Sequence, residues 1–290
     1  MNLVVGATGL LGGEICNLLA AEGKPVRALV RPTSDPSKVE QLERLNIEVA
    51  WGDLKDPASL VAACEGTTAV ITTASSTFSP LEGDSIQTVD LQGQLDLIDA
   101  ARAAGSSHFV LISFPEVDIQ FPLQTAKRKV EEHLKASGLT YTILKPTFFM
   151  EIWLSPGLGF DVANARAQIY GSGENKVSWI SYKDVAKFAA ASLENPGARN
   201  AEIKLGGPEA LSPLEVVRLF EDLKGQKFKV QFTTEGSLKG QKEDATDPLQ
   251  ESYAGLMLYL SRGDVIDMQN TPEGFPAQLT SVKDYARASV

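Results

Sequence analysis

The stretch that decides the fold is NLVVGATGLLG, residues 2–12, at the start of the chain. Residues 2–5 form a short β-type run, and a glycine-rich turn follows them directly. Leucine and isoleucine then recur on one broad face between residues 9 and 22, which predicts an amphipathic helix that ends at Gly23. Strand, turn and helix in this order predict the first unit of a parallel sheet with crossover helices.

Short apolar runs and amphipathic stretches alternate through the rest of the first half. The runs show little polar alternation, as expected of strands that are buried on both faces of a sheet. We predict further strands at residues 26–30, 47–51, 69–73, 108–113 and 140–145, and helices at residues 57–64, 85–104 and 125–137. The predicted fold class is α/β, a doubly wound parallel sheet of the Rossmann type.

The glycine-rich turn is suited to hold the diphosphate of a dinucleotide. One glycine lets the chain turn sharply, another lets backbone N–H groups approach a phosphate, and the last lets the helix pack closely on the strand. The helix N-terminus adds unpaired N–H donors and a partial positive charge. The alternative is a glycine-rich turn that binds no ligand. The predicted cofactor-binding residues of this loop are Gly6, Thr8, Gly9, Leu10, Leu11 and Gly12.

The end of the second strand predicts which dinucleotide is bound. An NAD-binding protein usually carries Asp or Glu at this position, and the carboxylate accepts hydrogen bonds from the ribose hydroxyls. This chain carries Arg31, whose guanidinium can pair with a 2′-phosphate, so we expect NADP(H) in preference to NAD(H). The alternative is that Arg31 is a solvated surface charge. Asp53, followed by Leu54, comes after the third strand and is predicted either to meet the adenine amino group or to cap the next turn.

The second half of the chain differs in character and predicts a small C-terminal substrate lobe. Residues 153–173 mix Pro, Gly and aromatic side chains, which indicates a loop with short elements. Regular elements are predicted further on, at residues 177–181 (strand), 182–194 (helix) and 203–205 (strand). We expect residues 1–150 to form the NAD(P)-binding Rossmann domain and residues 151–290 the lobe, with about 177–206 returning to the sheet.

Composition and charge exclude several functional classes. The 290 residues include 27 Lys and Arg against 37 Asp and Glu, a formal net charge of -10. An acidic surface repels phosphate backbones, so we expect binding neither to nucleic acid nor to an anionic membrane. The two cysteines and two histidines lie far apart, which predicts no disulfide framework and no metal site. No signal peptide is recognisable, and we expect a cytoplasmic monomer or homodimer.

Several motifs together make the chain similar to a known family. Besides residues 6–12, they are VRALVR at 26–31, GDL at 52–54, KRKVE at 127–131, SGLTYTILKP at 137–146, YKDVA at 182–186 and GGPEALS at 206–212. With these motifs the chain resembles the NmrA-like branch of the atypical short-chain dehydrogenase/reductase superfamily over nearly its whole length. That branch contains NADPH-dependent reductases, quinone reductases and isoflavone-reductase-like enzymes. It also contains proteins that bind the cofactor only to sense redox state.

The resemblance implies roles for further residues. Lys127 is expected to reach the ribose next to the nicotinamide. Other expected cofactor contacts are Thr73, Ala74 and Ser75 after the fourth strand, and Pro146, Thr147 and Phe148 after the sixth.

One position departs from the superfamily pattern. The usual catalytic pair is Tyr-x-x-x-Lys, in which the ammonium group lowers the pKa of the phenol so that it transfers a proton. Here Lys127 holds the lysine position, but Leu123 stands four residues earlier, and leucine has no proton to give. Three interpretations are open: Lys127 transfers a proton with help from Ser113, Lys127 only binds ribose while protons come from water, or no turnover occurs. An exposed ion pair between Lys127 and Glu131 is the purely structural alternative.

Large apolar side chains at residues 148–154 follow the sixth strand, at the carboxyl edge where open α/β sheets bind ligands. Phe114, Phe149 and Trp153 are the predicted substrate contacts, and the alternative is packing of the lobe or of a dimer. We therefore predict an NADPH-dependent oxidoreductase that reduces a small apolar acceptor (a quinone, enone or carbonyl compound) by hydride transfer. The alternative function is a non-catalytic NADP(H)-binding redox sensor.

Overall fold

Two sheets organise the strands of residues 1–78 and 81–290, the part of the chain that the computed structural model describes. In chain order the strands are β1 (Asn2–Val5), β2 (Val26–Val30), β3 (Glu48–Trp51), β4 (Ala69–Thr72), β5 (His108–Ile112), β6 (Thr140–Pro146), β7 (Phe160–Asp161), β8 (Arg166–Tyr170), β9 (Ala201–Leu205) and β10 (Lys229–Thr233). Seven of them form a parallel sheet in the order β3-β2-β1-β4-β5-β6-β9. The predicted fold class, a doubly wound parallel sheet, is confirmed.

Helices cover both faces of the parallel sheet. In chain order the helices of the described residues are α1 (Leu10–Ala21), α2 (Pro36–Arg44), α3 (Pro57–Cys64), α4 (Gly93–Ala103), α5 (Pro122–Ala136), α6 (Met150–Trp153), α7 (Tyr182–Ser192), α8 (Pro213–Lys224), α9 (Glu235–Glu243), α10 (Pro248–Arg262) and α11 (Val282–Ser289), of which α8 to α11 pack mainly in a second core described below. On one face α1 packs against α7, and on the other α3, α4 and α5 bury their apolar sides. Because both faces are covered, all four residues of β4 are buried and apolar character runs through the strand.

The position of the site follows from the order of the strands. β1 pairs with β2 on one side and with β4 on the other, so the connections after β1 and β4 leave in opposite directions. Such a switch point opens a crevice at the carboxyl ends of the strands, where doubly wound sheets bind ligands. Because the strands are parallel, the loops that follow β1, β2, β4, β5 and β6 all meet at this edge.

A second core is built largely from residues after β6. In the smaller sheet, β8 pairs in parallel with β10 and antiparallel with β7. The core is rich in aromatic rings, and Phe160, Phe220 and Phe228 lie 5.0 to 6.4 Å apart between ring centroids. Helix α10 also contacts α5, which joins this aromatic core to the parallel sheet. Within the described ranges, no helix is both long and apolar enough to cross a membrane.

The prediction of a strand at residues 177–181 is wrong. Val177 and Ile180 make isolated bridges, and the segment does not run as a strand of either sheet. The physical reason is that the segment passes between two cores: Trp179 is buried in the aromatic core, whereas Ile180 is buried with the side chains around α1 and α7. Helix α7 and strand β9, which follow it, do pack on the parallel sheet.

Candidate functional site

The turn after β1 forms a cradle of main-chain atoms at the start of α1. Gly6 has a φ of +84°, a left-handed conformation that glycine adopts without strain. A Cβ atom would lie 2.6 Å from Thr73 Oγ1 at Gly6, and 2.2 Å from the Gly6 carbonyl oxygen at Gly12. Gly9 is the N-cap of α1, and no described side chain caps the helix, so its first N–H groups keep their donor capacity. The remaining predicted residues of the loop lie here as well: Thr8, Leu10 and Leu11.

Two cationic side chains lie beside this cradle. Arg31, at the end of β2, places its Nη1 2.7 Å from Oδ2 of the buried Asp84. Lys38, on α2, donates from Nζ to the carbonyl oxygen of Thr8 at 2.9 Å. An anion that enters the cradle therefore meets main-chain donors together with two positive charges.

The loop after β3 is held by its own polar contacts. Oδ1 of Asp53 accepts from the N–H of Lys55 at 2.8 Å. Asp53 therefore caps the turn that follows, which is one of the two roles expected from the sequence. Leu54 is 6% exposed and packs on Gly93, the first residue of α4. The Lys55 ammonium group contacts Asp84, which Arg31 also contacts. The loops after β2 and β3 are thus joined by one buried carboxylate.

Residues after β4 and at the end of β6 line the same edge. Thr73 donates from Oγ1 to the carbonyl oxygen of the last residue of β1 at 3.2 Å. The carbonyl oxygen of Ala74 accepts from Nε2 of Gln94 at 3.2 Å, and Ser75 follows. Pro146 is the last residue of β6 and is buried. These contacts fix the walls of the crevice on both sides of β5.

Lys127 is buried and paired with a carboxylate that the sequence analysis did not identify. Its Nζ lies 3.6 Å from Oδ1 of Asp90, and the two side chains are 8% and 0% exposed. Oδ2 of Asp90 accepts from the N–H and the hydroxyl of Ser76, but Oδ1 finds no hydrogen-bond donor among the described residues. Asp90 lies in a π-helical segment, Ile86–Gln92, of a kind that often marks functional sites. Lys127 is therefore not an exposed partner of Glu131, which is itself buried.

The position of the missing tyrosine is filled by packing. Leu123 is 4% exposed and belongs to the aromatic core. Its N–H donates to Oγ of Ser252 on α10 at 3.0 Å, so α10 lies across the first turn of α5. Tyr253, also on α10, donates its hydroxyl to the carbonyl oxygen of Thr77 after β4. Helix α10 thus lies over the site from the lobe side.

Ser113, at the end of β5, is part of a buried hydrogen-bonded network. Its hydroxyl donates to Oε1 of Glu131 at 2.5 Å and accepts from Nη2 of Arg128 at 2.9 Å. Oε2 of Glu131 lies 2.9 Å from the ammonium group of Lys145. The proton of the Ser113 hydroxyl is therefore directed at a carboxylate of the protein.

The same network reaches the surface at Glu202. This carboxylate contacts Lys145 at 2.5 Å and also contacts Lys135. Burial alone would raise the pKa of Glu202, but the hydrogen bonds and charges of the two lysines outweigh it and lower the pKa to about 2. Glu202 therefore stays ionised and holds both lysines at physiological pH.

The aromatic residues predicted to contact substrate (Phe114, Phe149 and Trp153) or cofactor (Phe148) divide between two cores. Phe148 is buried and meets Trp153 edge to face at 5.0 Å, and Phe114 stacks on Phe121 at 6.0 Å. All four pack in the aromatic core. Phe149 is half-buried and packs instead with the residues around α1 and α7. Phe114 and Trp153 thus lie on the lobe side of the crevice, and Phe149 does not share their core.

Lys38, Asp90 and Arg128 belong to the site, but the sequence analysis gave them no role. Charged residues within amphipathic stretches usually face solvent, so the burial of Asp90 and the partial burial of Arg128 cannot be recognised from pattern alone. A signal did exist for Lys38, because Asp35-Pro36 is a typical helix start and places a lysine in the first turn of α2.

Comparisons with known proteins agree with this geometry. The model of the NmrA-like family matches residues 2–257. The NAD(P)H azoreductase of Xenophilus azovorans is 32% identical over 263 residues, which cover 88% of this chain and 86% of that protein. A photosystem II assembly factor of Trieres chinensis is 34% identical over 235 residues, which cover 79% of this chain and 70% of that protein.

A solved structure shows the same fold. The NADPH-dependent quinone oxidoreductase of Escherichia coli, crystallised with NADPH, superposes with a TM-score of 0.79 at 23% identity. The match covers 100% of this chain and 99% of that chain. The likeness therefore includes the lobe as well as the parallel sheet.

Proposed function

Because this chain belongs to the NmrA-like family, we propose that it is an NADPH-dependent oxidoreductase that reduces a small apolar acceptor (a quinone, enone or carbonyl compound). Bound NADPH supplies a hydride to the acceptor. The observation that carries the proposal is the cradle at Gly6 and Gly12, where a Cβ atom would collide with main-chain or Thr73 atoms, beside the cations Arg31 and Lys38. The names of the azoreductase and the quinone oxidoreductase above agree with it.

The residues present fit the cofactor at its adenosine end. The N–H groups at the start of α1 bind the diphosphate, and the absence of side chains at Gly6 and Gly12 lets it approach the backbone. Arg31 and Lys38 bind the 2′-phosphate, which NAD(H) lacks, and this makes NADP(H) the preferred cofactor. Asp53 and Leu54, in the loop after β3, would contact the adenine in this proposal.

The residues present also fit the cofactor at its nicotinamide end. Lys127 and the open oxygen of Asp90 bind the ribose hydroxyls, which complete the hydrogen bonds that this buried pair lacks. The remaining expected cofactor contacts at this end are Thr73, Ala74, Ser75, Pro146 and Phe148. Phe114 and Trp153 give the acceptor an apolar surface from the lobe side.

The proton that completes the reduction comes from water in this proposal. Leu123 carries no proton, and the proton of Ser113 is held by Glu131. Asp90 balances the charge of the Lys127 ammonium group, and Lys127 binds and orients the cofactor in this proposal. Ser113 acts as a positioning residue that holds the end of β5 against α5.

The proposal is tested by mixing the protein and NADPH with each of a panel of quinones, enones and aryl ketones and measuring the loss of NADPH absorbance. We expect turnover with at least one class of acceptor and slower turnover with NADH, because NADH lacks the phosphate that Arg31 and Lys38 bind. Tight NADPH binding without turnover of any acceptor would contradict the oxidoreductase. Calorimetry that detects no binding of either nucleotide would contradict the cofactor site as well.

A second candidate is a non-catalytic NADP(H)-binding protein that signals redox state. Leu123, buried at the position of the usual proton donor, favours it, as does the assembly factor among the relatives. In that case NADPH and NADP⁺ bind without turnover and change the mass of the particle in solution. Light scattering with each nucleotide, run beside the absorbance panel, separates the two candidates.

A further inference from the structure

The guanidinium group of Arg128 is held by one of its three nitrogens. Arg128 follows Lys127 on α5, and its side chain is 17% exposed. Its Nη2 donates to Oγ of Ser113 at 2.9 Å and to the carbonyl oxygen of Phe114 at 2.7 Å, and lies 2.9 Å from Oε1 of Glu131. Nε and Nη1 are buried, and no atom of residues 1–78 or 81–290 accepts from them. Burying an N–H group without an acceptor costs free energy, so we expect each of these two nitrogens to bind an acceptor when the site is occupied.

The surroundings of Arg128 place it in the crevice. Its guanidinium lies 5.3 Å from the ring centroid of Phe114, which follows β5. Burial and the Asp264 carboxylate raise the pKa of Tyr259 on α10, and the charge of Arg128 acts in the opposite direction. The Tyr259 ring in turn lies 4.6 Å from Phe148, which follows β6. The guanidinium therefore lies at the end of β5, and α10 packs against the helix that carries it.

Charge around Arg128 is unbalanced toward the positive. Three cations, Arg128, Lys145 and Lys135, share two carboxylates, Glu131 and Glu202. The buried end of this network is Arg128, and its exposed end is Lys135. These five groups together carry one net positive charge, in a chain with a formal net charge of -10.

The position of the two unpaired nitrogens favours one oxygen over a carboxylate. A guanidinium binds a carboxylate in a bidentate manner through two adjacent N–H groups, and each such pair of N–H groups includes one on Nη2. Nη2 of Arg128 already donates two hydrogen bonds, to Ser113 and to the Phe114 carbonyl oxygen, and forms an ion pair with Glu131. Cδ separates Nε–H from Nη1, so these two nitrogens cannot share one acceptor, and Nη1 is left as a donor to a single oxygen atom, as in a carbonyl group.

Building on the proposed function, we propose that Arg128 is a catalytic residue whose unpaired Nη1 binds the carbonyl oxygen of the acceptor. The acceptor gains a hydride, which is two electrons and one proton, while NADPH becomes NADP⁺. The π electrons of the acceptor shift to its oxygen, which becomes an oxyanion that Arg128 stabilises and water then protonates. The substrate class is accordingly a conjugated carbonyl compound, a quinone or enone, whose apolar ring lies against Phe114.

The competing explanation is that Arg128 is structural and only ties Glu131 to the end of β5. A phenol distinguishes the two, because its ionised form mimics the oxyanion. We would titrate 4-nitrophenol bound to the NADP⁺-loaded protein and follow the phenolate absorbance. In the unaltered protein we expect the ionisation constant of the bound phenol to rise by about tenfold or more, since a positive charge at hydrogen-bond distance favours the anion.

Variants then identify the charge responsible. Arg128→Gln should return the ionisation constant of the bound phenol toward its solution value. Lys129→Met removes an equal charge from the next, exposed position of α5 and should leave the phenol titration unchanged. Arg128→Lys retains a positive charge that can pair with Glu131, and it replaces Arg128→Gln in the test if Arg128→Gln does not fold. We expect either Arg128 variant to lower kcat/KM for a quinone by about 100-fold, as loss of an oxyanion donor does, without weakening NADPH binding.

The outcomes separate this inference from the proposed function. If quinones are reduced but the bound phenol titrates as it does in water, or if Arg128→Lys and Arg128→Gln keep full kcat/KM, Arg128 does not bind the oxygen and the oxidoreductase stands. If NADPH binds but neither acceptor reduction nor phenol binding is detected, the proposed function fails and this inference fails with it.

Discussion

Arg31 is the residue on which the choice of cofactor depends in our proposal. Replacing it with alanine should weaken NADPH binding by about 10- to 100-fold, because a hydrogen bond to a charged group contributes about 1.5–3 kcal/mol. NADH binding should stay as it is, since NADH carries no 2′-phosphate. Calorimetric titration with both nucleotides measures the difference. Arg44→Ala is the matched control, because Arg44 forms an exposed pair with Glu40. An equal loss for both nucleotides would contradict the role of Arg31.

Lys127 should stabilise the fold as well as bind cofactor. Lys127→Met leaves Asp90 fully buried without its counter-ion, which should lower the free energy of unfolding by about 3–5 kcal/mol. The double variant Lys127→Met/Asp90→Asn removes both charges and should recover most of the loss. Urea denaturation of the three proteins gives the comparison. If the single variant is as stable as its parent, the two side chains do not form an ion pair.

At the residue scale, sequence analysis works where the backbone alone determines the role. The glycines of residues 6–12 could be recognised because strand, turn and helix follow one another in sequence. Asp90 and Arg128 could not, because their burial depends on the packing of α4 and α10 against α5. Helical spacing alone would also predict an ion pair between Lys127 and Glu131. In the folded chain Glu131 forms ion pairs with Lys145 and Arg128 instead.

The start of α1 is the element whose shape limits substitution most strictly. In Gly12→Ala the new Cβ atom would lie 2.2 Å from the Gly6 carbonyl oxygen, so the turn must open and the cradle is lost. We expect NADPH affinity to fall by about tenfold or more, together with a lower melting temperature, as overpacking costs about 1–3 kcal/mol. Calorimetry and thermal denaturation measure the two effects.

Gly13→Ala is the matched control for this prediction. Its Cβ atom would lie 3.4 Å from the Ala7 carbonyl oxygen, an ordinary contact. Because alanine favours the helix by about 1 kcal/mol over glycine, this variant should be as stable as its parent or more so. Equal NADPH affinity in the two variants would mean that the approach of α1 to the turn does not matter for binding.

At the element scale, sequence analysis identified the strands of the parallel sheet and did less well elsewhere. β1, β2, β4, β5 and β6 are mainly apolar runs, and the structure has them close to the predicted bounds. Helix α2 was not predicted, because Val39 and Leu42 are its only buried side chains. The strands of the smaller sheet are short and partly exposed, so tertiary pairing rather than local pattern makes them strands.

The whole molecule combines an acidic surface with a basic crevice. Lys38, Arg31, Lys127 and Arg128 lie along the carboxyl edge of the sheet in a chain with a formal net charge of -10. Such an arrangement draws an anionic cofactor to the crevice and repels it from the rest of the surface. Phe114 after β5 and Trp153 at the start of the lobe then add an apolar side to the same crevice, which suits an apolar acceptor beside a charged cofactor.

The stability of the whole molecule should depend on the charge of His108. Burial, followed by the charge of Arg199, lowers its pKa from 6.5 to about 4, and its ring lies 2.8 Å from Thr142 Oγ1 between β5 and β6. Because the unfolded chain binds the proton more tightly, stability is full above pH 6.5 and falls as the pH drops from 6.5 to 4. The loss should be on the order of 3 kcal/mol.

His108→Gln keeps a hydrogen-bonding side chain there and should flatten the pH dependence of stability between pH 6.5 and 4, as measured by urea denaturation. The chain has two histidines, and the other, His133, forms a partly exposed pair with Asp99 on the helical surface. His133→Gln should therefore keep the parental slope. If both variants keep it, the loss of stability in this range comes from carboxylates, and His108 is already neutral in the unfolded chain or charged in the folded one.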